Sequence, residues 1–582
     1  MIGKSTPLFS KVWKSAEIDD AVAGRLAAEM KIPRPAARLL AGRSFTNAGD
    51  VDSFLNPKLA DIRDPFRLPA MDRAVDRIWK AVDAHEKIAI FGDYDVDGIT
   101  SAALLLSVLK QLGTSAAAFL PHRMDEGYGL TVDALERCIE EHKPSLIITV
   151  DCGTTSVAAA VRAREADIDL IVTDHHSPGH EIAPAVAVVN PKLGDCDDEK
   201  NLAGVGVAFK LAYALIKRGR ETNRAVAHID LKQHLDLVAL GTVADIVPLT
   251  GENRTFVRHG LAAIGATKRT GLRALMQIAA VGDIVDAYDI GFKLGPRLNA
   301  AGRLGDALKA LNLLTTDDIG LALELAKNLN DENKNRQEVE AEMVQAAIAE
   351  LDKTFDEKSC FGLVIAREGW HPGVIGIVAS RIVQRYARPA IVIALRDGVG
   401  RGSCRSIEDF DMLSALSDCA DSLAKFGGHA MAAGLEVEFS QLENFRSRFN
   451  EVAAQKLSGR DLRPVQKIDV WLDALADADE RLLAFVEDAR PFGVGNTTPV
   501  WGCRAVRVAS QPRRVGNDGQ HLKLSVVQGG AQRDAIWFGG GGREVPPVID
   551  MAFQVKRNTY FGDGRVDLMV QDIRASQPEP AR

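Results

Sequence analysis

The chain has 582 residues, 46% of them hydrophobic and 26% charged, with a formal net charge of −8. That length exceeds what one hydrophobic core supports, the composition is that of a water-soluble multidomain protein, and no apolar run approaches a membrane span. Net acidity does not by itself suggest a polyanion partner, but residues 501–582 carry 12 Lys/Arg against 8 Asp/Glu, a basic tail on an acidic body.

The N-terminus, MIGKSTPLFSKVWKSAE, lacks the apolar core of a signal peptide, so a cytoplasmic protein is expected. The seven cysteines, at 138, 152, 196, 360, 404, 419 and 503, form no CxxC pair and read as free thiols in a reducing compartment. Residues 1–50 read as a helical lead-in.

Residues 88–101, IAIFGDYDVDGITS, organise the rest of the chain. Ile88 to Phe91 has the look of a buried strand, which breaks at Gly92 into Asp93, Asp95 and Asp97, with a helix expected from Ser101 to Leu112. Alternate residues on an extended segment share a side, so the three carboxylates are expected to crowd together and to require a cation. The same D-x-D-x-D-G pattern opens a calcium-binding EF-hand loop. That reading fails because Leu104 stands where the bidentate glutamate is needed and a strand, not a helix, precedes the loop.

From about residue 70 to 250, strands alternate with helices, which predicts a doubly wound parallel sheet. Ligands in such sheets sit beyond the carboxyl ends of the strands. Strand Leu146 to Val150 ends in Asp151, and strand Leu170 to Thr173 ends in Asp174, His175 and His176. LDLVALGTVADIVPL places Asp245 in a similar apolar frame. Four segments are thus expected to deliver acid or histidine groups to one edge of one sheet.

Residues 250 to 350 read as mainly helical, with Ile319 to Leu351 a charge-laced connecting helix. GPRLNAAGRLG, residues 295–305, reads as a loop whose backbone amides, with Arg297 and Arg303, suit phosphate recognition. A second α/β unit extends to about residue 455. In it GVGRGSCRS and FGGHAMAAG read as glycine-rich stretches after strands, offering Arg401, Ser403, Arg405 and His429 to phosphate oxygens. Evenly spaced β segments after residue 460 predict a small barrel. Its Trp501, Trp537, Phe538, Tyr560 and Phe561, interleaved with Arg and Lys, suit base stacking or, equally, an ordinary barrel core.

GDYDVDG, VDCG, TDHH and GTVADIVPL resemble, in order, the four motifs of the DHH phosphoesterase superfamily. With GPRLNAAGR, HPGVIGIVASR, GRGSCRS, FGGHAMAAG and a terminal barrel, residues 40–570 are similar to the superfamily's branch of single-strand-specific DNA exonucleases. The resemblance implies a doubly wound parallel-sheet DHH domain at 51–250 after the lead-in, and a helical region with the long connecting helix at 251–353. It further implies a smaller α/β substrate-binding domain at 354–458, an OB-type β-barrel at 459–575 and a tail at 576–582.

It also implies 5′→3′ hydrolysis of single-stranded DNA to mononucleotides in recombination and repair. Two divalent cations, Mn²⁺ or Mg²⁺, would be held by Asp93, Asp95, Asp97, Asp151, His175 and Asp245, with Asp151 bridging. Asp97, Asp151, His175 and His176 would carry catalysis, His176 facing the scissile phosphate. Arg123, Arg297, Asn299, Arg303, Arg401, Ser403, Arg405 and His429 would hold the 5′ end and the backbone phosphates. Implied partners are a single-strand-binding protein and a RecQ-type helicase, and the self-contained multidomain plan leans toward a monomer.

The chemistry is consistent on its own terms, since carboxylates with one histidine suit Mn²⁺ or Mg²⁺ over zinc. No P-loop or Ser-His-Asp arrangement points to ATP hydrolysis or covalent catalysis. A competing reading keeps the metals but takes short oligonucleotides, cyclic dinucleotides or pyrophosphate, for which the segment after residue 460 would be superfluous. A non-catalytic scaffold is the third reading, and the intact set of acids and histidines opposes it.

Overall fold

Strand Ile88–Gly92 is buried at every residue, and its alternation feeds two cores. Ile88 and Ile90 face one with Leu146 and Ile148, while Ala89 and Phe91 face the other with Ile147. In this computed structural model, which describes residues 8–121, 129–197, 199–558 and 564–576, the strand lies within a five-stranded parallel sheet. The order is Ala116–Phe119, Ile88–Gly92, Leu146–Val150, Asp169–Thr173 and Ala187–Val189. The strand order reverses beside Ile88–Gly92, so the crevice between it and Leu146–Val150 is the topological switch point where doubly wound sheets bind ligands.

The helix after the first strand runs Val96–Gln111, five residues earlier than the sequence suggests. Asp95 is its N-cap, accepting hydrogen bonds from the Asp97 amide at 2.9 Å and the Gly98 amide at 3.2 Å. The three aspartates therefore do not lie on one extended segment. Asp93 leaves the strand, Asp95 caps the helix and Asp97 sits in its first turn. This tight return requires glycine at 98, where a Cβ would fall 2.5 Å from the Asp93 carbonyl oxygen.

The sheet belongs to one of two compact units, Asn56–Arg336 with Arg490–Thr497. Residues 295–305 are not a loop there. Five residues of π-helix, Ile290–Leu294, run into the α-helix Gly295–Leu304, whose first turn carries a proline where no amide partner is needed. Asp245 also departs from expectation: it caps the C-terminus of the helix Leu235–Ala244 and is not at a strand end. The largely apolar run that frames Asp245 is a helix, buried at every residue from Leu235 to Thr242.

The second unit comprises Met1–Leu55, Gln337–Ala489 and Thr498–Arg582, and the 36-residue helix Ile319–Thr354 carries the chain into it. The lead-in is not wholly helical, because Val12–Ser15 pairs in parallel with Val465–Ile468. A five-stranded sheet is ordered Lys425–Gly428, Ala432–Glu438, Val399–Arg405, Ala390–Arg396 and Leu363–Glu368. GVGRGSCRS is thus itself largely strand, and FGGHAMAAG is a hairpin whose Gly428 admits no side chain, a Cβ there standing 2.5 Å from the Ala433 Cα. Strands Trp501–Val508, Val548–Arg557, Val566–Ala575, Ala531–Trp537 and His521–Gln528 close into a barrel when the last pairs back onto the first. Trp501 is fully buried and Trp537 nearly so, making both core residues, whereas Phe538 is 51% exposed. Tyr560 and Phe561 lie outside the described residues. No helix among the described residues is long and apolar enough to cross a membrane.

Candidate metal centre

Each acidic group reaches the switch point by a different local device. Asp151 leaves its strand with φ at +62°, a left-handed conformation that aspartate tolerates and that turns the chain sharply. Asp174 stands at the end of the next strand and gathers four hydrogen bonds. The backbone amides of His175, His176 and Thr154 donate at 2.7, 3.0 and 2.9 Å, and His176 Nδ1 donates at 2.8 Å. Burial pushes the Asp174 carboxyl up, but the His176 bonds and charge outweigh it and hold the group well below the ordinary range. A carboxylate kept ionised can only accept, so the His176 proton sits on Nδ1, leaving Nε2 as the ring's second hydrogen-bonding atom.

Three sets of side chains bring ligand atoms within 4.8 Å of one another: Asp151 with His175 and His176; Asp97 with His175 and Asp245; and Asp93 with Asp95 and Asp151. Asp151 and His175 each belong to two sets, which is the arrangement a pair of neighbouring cations requires. His175 Nε2 stands 3.1 Å from Asp151 Oδ1, 3.5 Å from Asp245 Oδ2 and 3.9 Å from Asp97 Oδ2. Among the described residues, Asp151 Oδ1, His175 Nε2 and Asp245 Oδ2 are buried without a hydrogen-bond partner. Converging buried acceptors left unpaired are costly unless a cation satisfies them, so these residues fit a hard divalent metal.

The electrostatics agree. Burial, with Asp95 close by, lifts the Asp97 carboxyl to about 7, and burial with Asp97 and Asp95 lifts Asp245 to about 9. Burial and the charges of Asp97, Asp95, Asp245 and Asp93 raise Asp151 well above the carboxylate range. Burial lowers His175 to about 3, keeping the imidazole neutral and able to ligate.

Several contributors escaped the sequence reading. Both Asp97 oxygens accept from the start of the helix Gly204–Glu221, from the Gly204 amide at 2.6 Å and the Val205 amide at 2.8 Å. Gly204 is also a steric requirement, since a Cβ there would lie 2.6 Å from Asp151 Oδ1. The Leu202 backbone hydrogen-bonds His175. Asn190 Nδ2 donates to Thr154 Oγ1 and to the His176 carbonyl, both at 2.9 Å. Half-buried Lys192, its pKa lowered by burial, feels the charges of Asp174 and Asp245. The only sequence signal for these was a glycine pair, Gly204 and Gly206, opening an apolar helix.

A cleft of about 240 Å³ opens at the cluster, lined by Asp93, Tyr94, Asp95, Ala244, Asp245, Asn299, Gly302 and Arg303. Asn299 Oδ1 accepts from the Val96 amide at 3.2 Å, and a Cβ on Gly302 would lie 2.6 Å from the Tyr94 carbonyl oxygen, so this helix rests on the aspartate turn. Arg303 thus joins the site. Arg297 does not line the cleft: its guanidinium donates to Asn330 Oδ1 at 3.2 Å and to the Lys293 carbonyl at 2.6 Å. In the other unit, Arg405 Nη1 donates to Ser403 Oγ at 3.2 Å, and both lie against Gly376. Arg401 pairs with Glu436 at 3.4 Å, and His429 is exposed at the hairpin turn. Arg123 lies outside the described residues.

Residues 87–242 match the DHH family, N-terminal domain, residues 357–455 the DHHA1 domain, and residues 468–572 the RecJ OB domain. The chain is 37% identical over 580 residues to the single-stranded-DNA-specific exonuclease RecJ of Bacillus subtilis, covering 98% of this chain and 72% of that protein. It is 37% identical over 570 residues to the Escherichia coli RecJ of the same description, covering 93% and 96%. The crystal structure of RecJ from Thermus thermophilus in complex with Mn²⁺ superposes with a TM-score of 0.83 at 30% identity, covering 97% of this chain and 80% of that one. With its motifs in order, its acid–histidine cluster at the switch point and relatives of this extent, the chain belongs to the RecJ family.

Proposed function

We propose that the chain is a single-strand-specific DNA exonuclease that removes mononucleotides 5′→3′ with two divalent cations, Mn²⁺ or Mg²⁺. The observation that carries the reading is the convergence of buried Asp151, His175 and Asp245 atoms without hydrogen-bond partners, at the end of a sheet in a chain of this family. Asp93, Asp95, Asp97, Asp151, His175 and Asp245 would hold the ions, which when bound supply an activated water and neutralise charge on the phosphate. The protein's own part is positioning. The Gly204 and Val205 amides hold Asp97, and the Leu202 backbone holds the His175 ring. Asp174 accepts from His176 Nδ1 and so fixes the ring's orientation, and a doubly protonated ring would donate from Nε2 to the scissile phosphate. Asn299 and Arg303 in the cleft wall meet phosphate oxygens, and Arg123, Arg401, Ser403, Arg405 and His429 extend that recognition along the strand.

In this reading catalysis centres on residues 51–250, residues 354–458 and the barrel at 459–575 hold the substrate, and 251–353 connects them and adds Asn299 and Arg303 to the cleft wall. The enzyme works as a cytoplasmic monomer in recombination and repair, on strands exposed by a RecQ-type helicase and coated by a single-strand-binding protein. The test is cleavage of single-stranded DNA labelled at either end, with Mn²⁺, Mg²⁺ or chelator, beside a blunt duplex. Immediate, metal-dependent release of the 5′ label as mononucleotide, absent on the duplex, is expected. Inert long strands with rapid hydrolysis of dinucleotides or pyrophosphate would overturn the substrate and leave the cluster a small-molecule phosphoesterase site.

A further inference from the structure

Tyr288 and Phe292 stack on each other with ring centroids 4.6 Å apart and planes 24° from parallel, yet they are 58% and 68% exposed. Large rings are seldom left to water in this way, and two held face to face in solvent form a preorganised flat surface. Their segment is anchored on both sides. Ile290 and Leu294, within the same short segment, are fully buried, and Asp286 closes a capping box with Asp289. Asp289 in turn pairs with Lys293 at 2.6 Å. The nearby acids are therefore engaged, and the exposed element is the ring pair itself.

The position of the pair ties it to the cleft. Its π-helix continues directly into the helix that supplies Asn299, Gly302 and Arg303 to the cleft wall. A Cβ placed on Gly295 would lie 3.6 Å from the Cβ of Ala244, the residue before Asp245. Phe292 precedes Asn299 by seven residues, roughly 10 Å along a helix axis and thus about one or two nucleotides of extended strand. Ile246, next in sequence to the cleft-lining Asp245, is a further apolar side chain left 69% exposed, with φ at +63°, which β-branched residues rarely adopt.

We propose that Tyr288 and Phe292 form a base-stacking platform that seats a nucleobase of the substrate strand next to the scissile linkage, with Ile246 as its edge. The proposal rests on the exonuclease reading and deepens it. Phosphate contacts alone would not distinguish a splayed single strand from a duplex, whereas a flat aromatic surface beside the cleft accepts only an unstacked base. The platform thereby contributes to strand selection at the site itself.

The test compares wild type with Tyr288→Ala/Phe292→Ala and with the conservative Tyr288→Phe. One substrate is an intact oligodeoxynucleotide, and the other has abasic residues at its 5′-terminal positions. The double variant should raise KM on the intact strand about 10- to 100-fold, the worth of a lost base stack, with kcat little changed. On the abasic strand it should match wild type, and Tyr288→Phe should behave as wild type on both. Equal loss on both strands, or no loss on either, would overturn the platform. Binding of a strand carrying 2-aminopurine, measured in chelator, decides the point even if wild type cuts no long strand. Quenching by wild type that is lost in the double variant supports the platform, and equal quenching refutes it. An unchanged KM would leave the exposed pair as a protein-docking surface.

Discussion

Gly204→Ala isolates the positioning of the acidic cluster from its chemistry, because it removes no ligand. The new Cβ would stand 2.6 Å from Asp151 Oδ1, 2.8 Å from its Cβ and 2.9 Å from its Cγ, where ordinary contact begins at 3.4 Å. The carboxylate must therefore retreat by about 0.8 Å, more than the roughly 0.5 Å within which a catalytic constellation has to be held. The backbone cannot absorb the shift cheaply, because the Gly204 amide is bound to Asp97 at 2.6 Å. Helix propensity favours alanine over glycine by up to about 1 kcal/mol and overpacking costs about 1–3 kcal/mol, so the fold should survive. A misplacement of this size costs on the order of 100-fold in rate. The assay pairs metal-dependent release of a 5′ label with a thermal melt. Gly206→Ala serves as control, because its Cβ comes within 3.4 Å of no backbone atom or ligand there, its nearest neighbour being the Leu202 Cδ2 at 3.2 Å, the end of a flexible side chain. A melt within a few degrees of wild type with activity down about 100-fold is expected. Full activity in Gly204→Ala would refute the reasoning that Asp151 must occupy its present position.

Protonation gives a second outcome. In metal-free protein Asp97 is raised to about 7 and Asp245 to about 9, so the stability they contribute is complete below the ordinary carboxylate range and is lost as pH rises through those values. His175, lowered to about 3, has the opposite slope below its ordinary value, so the decline should be cleanest above about pH 6.5. Melting in chelator should fall between neutral pH and pH 9 while the increment on adding Mn²⁺ grows, and a flat profile would count against the cluster. Arg303→Ala should raise KM for single-stranded DNA about tenfold, the value of one charge-assisted phosphate contact, whereas Arg297→Ala should chiefly lower the melting temperature. In the barrel, Trp501→Ala should destabilise by about 3–5 kcal/mol, and Phe538→Ala should spare stability and weaken strand binding, measured by denaturant unfolding and fluorescence anisotropy.

Much of the centre is legible in the residues themselves. Asp93, Asp151 and His175 come after apolar runs, and the ends of parallel strands converge whatever the details of the intervening helices. What stays hidden depends on phase and on distant contacts. Nothing local announces that the helix begins at Val96, since Asp95 resembles its neighbours until its carboxylate is seen capping Asp97 and Gly98. Asp245 lies in an apolar run that reads equally as strand or buried helix, and tertiary packing decides for the helix. Arg297 and Arg303 are alike in sequence, but six residues around a helix send one toward Lys293 and Asn330 and the other into the cleft. The support from Gly204 arrives from more than a hundred residues away, where only a small residue opening a helix hints at it.

Anomalous diffraction from crystals grown with Mn²⁺ would locate the ions that the Asp–His cluster is built to hold. Peaks within coordination distance of Asp151 and His175, abolished in Asp151→Asn together with cleavage of single-stranded DNA, are predicted. Density for Mn²⁺ elsewhere on the protein with none at this cluster, or undiminished cleavage by Asp151→Asn, would contradict the account.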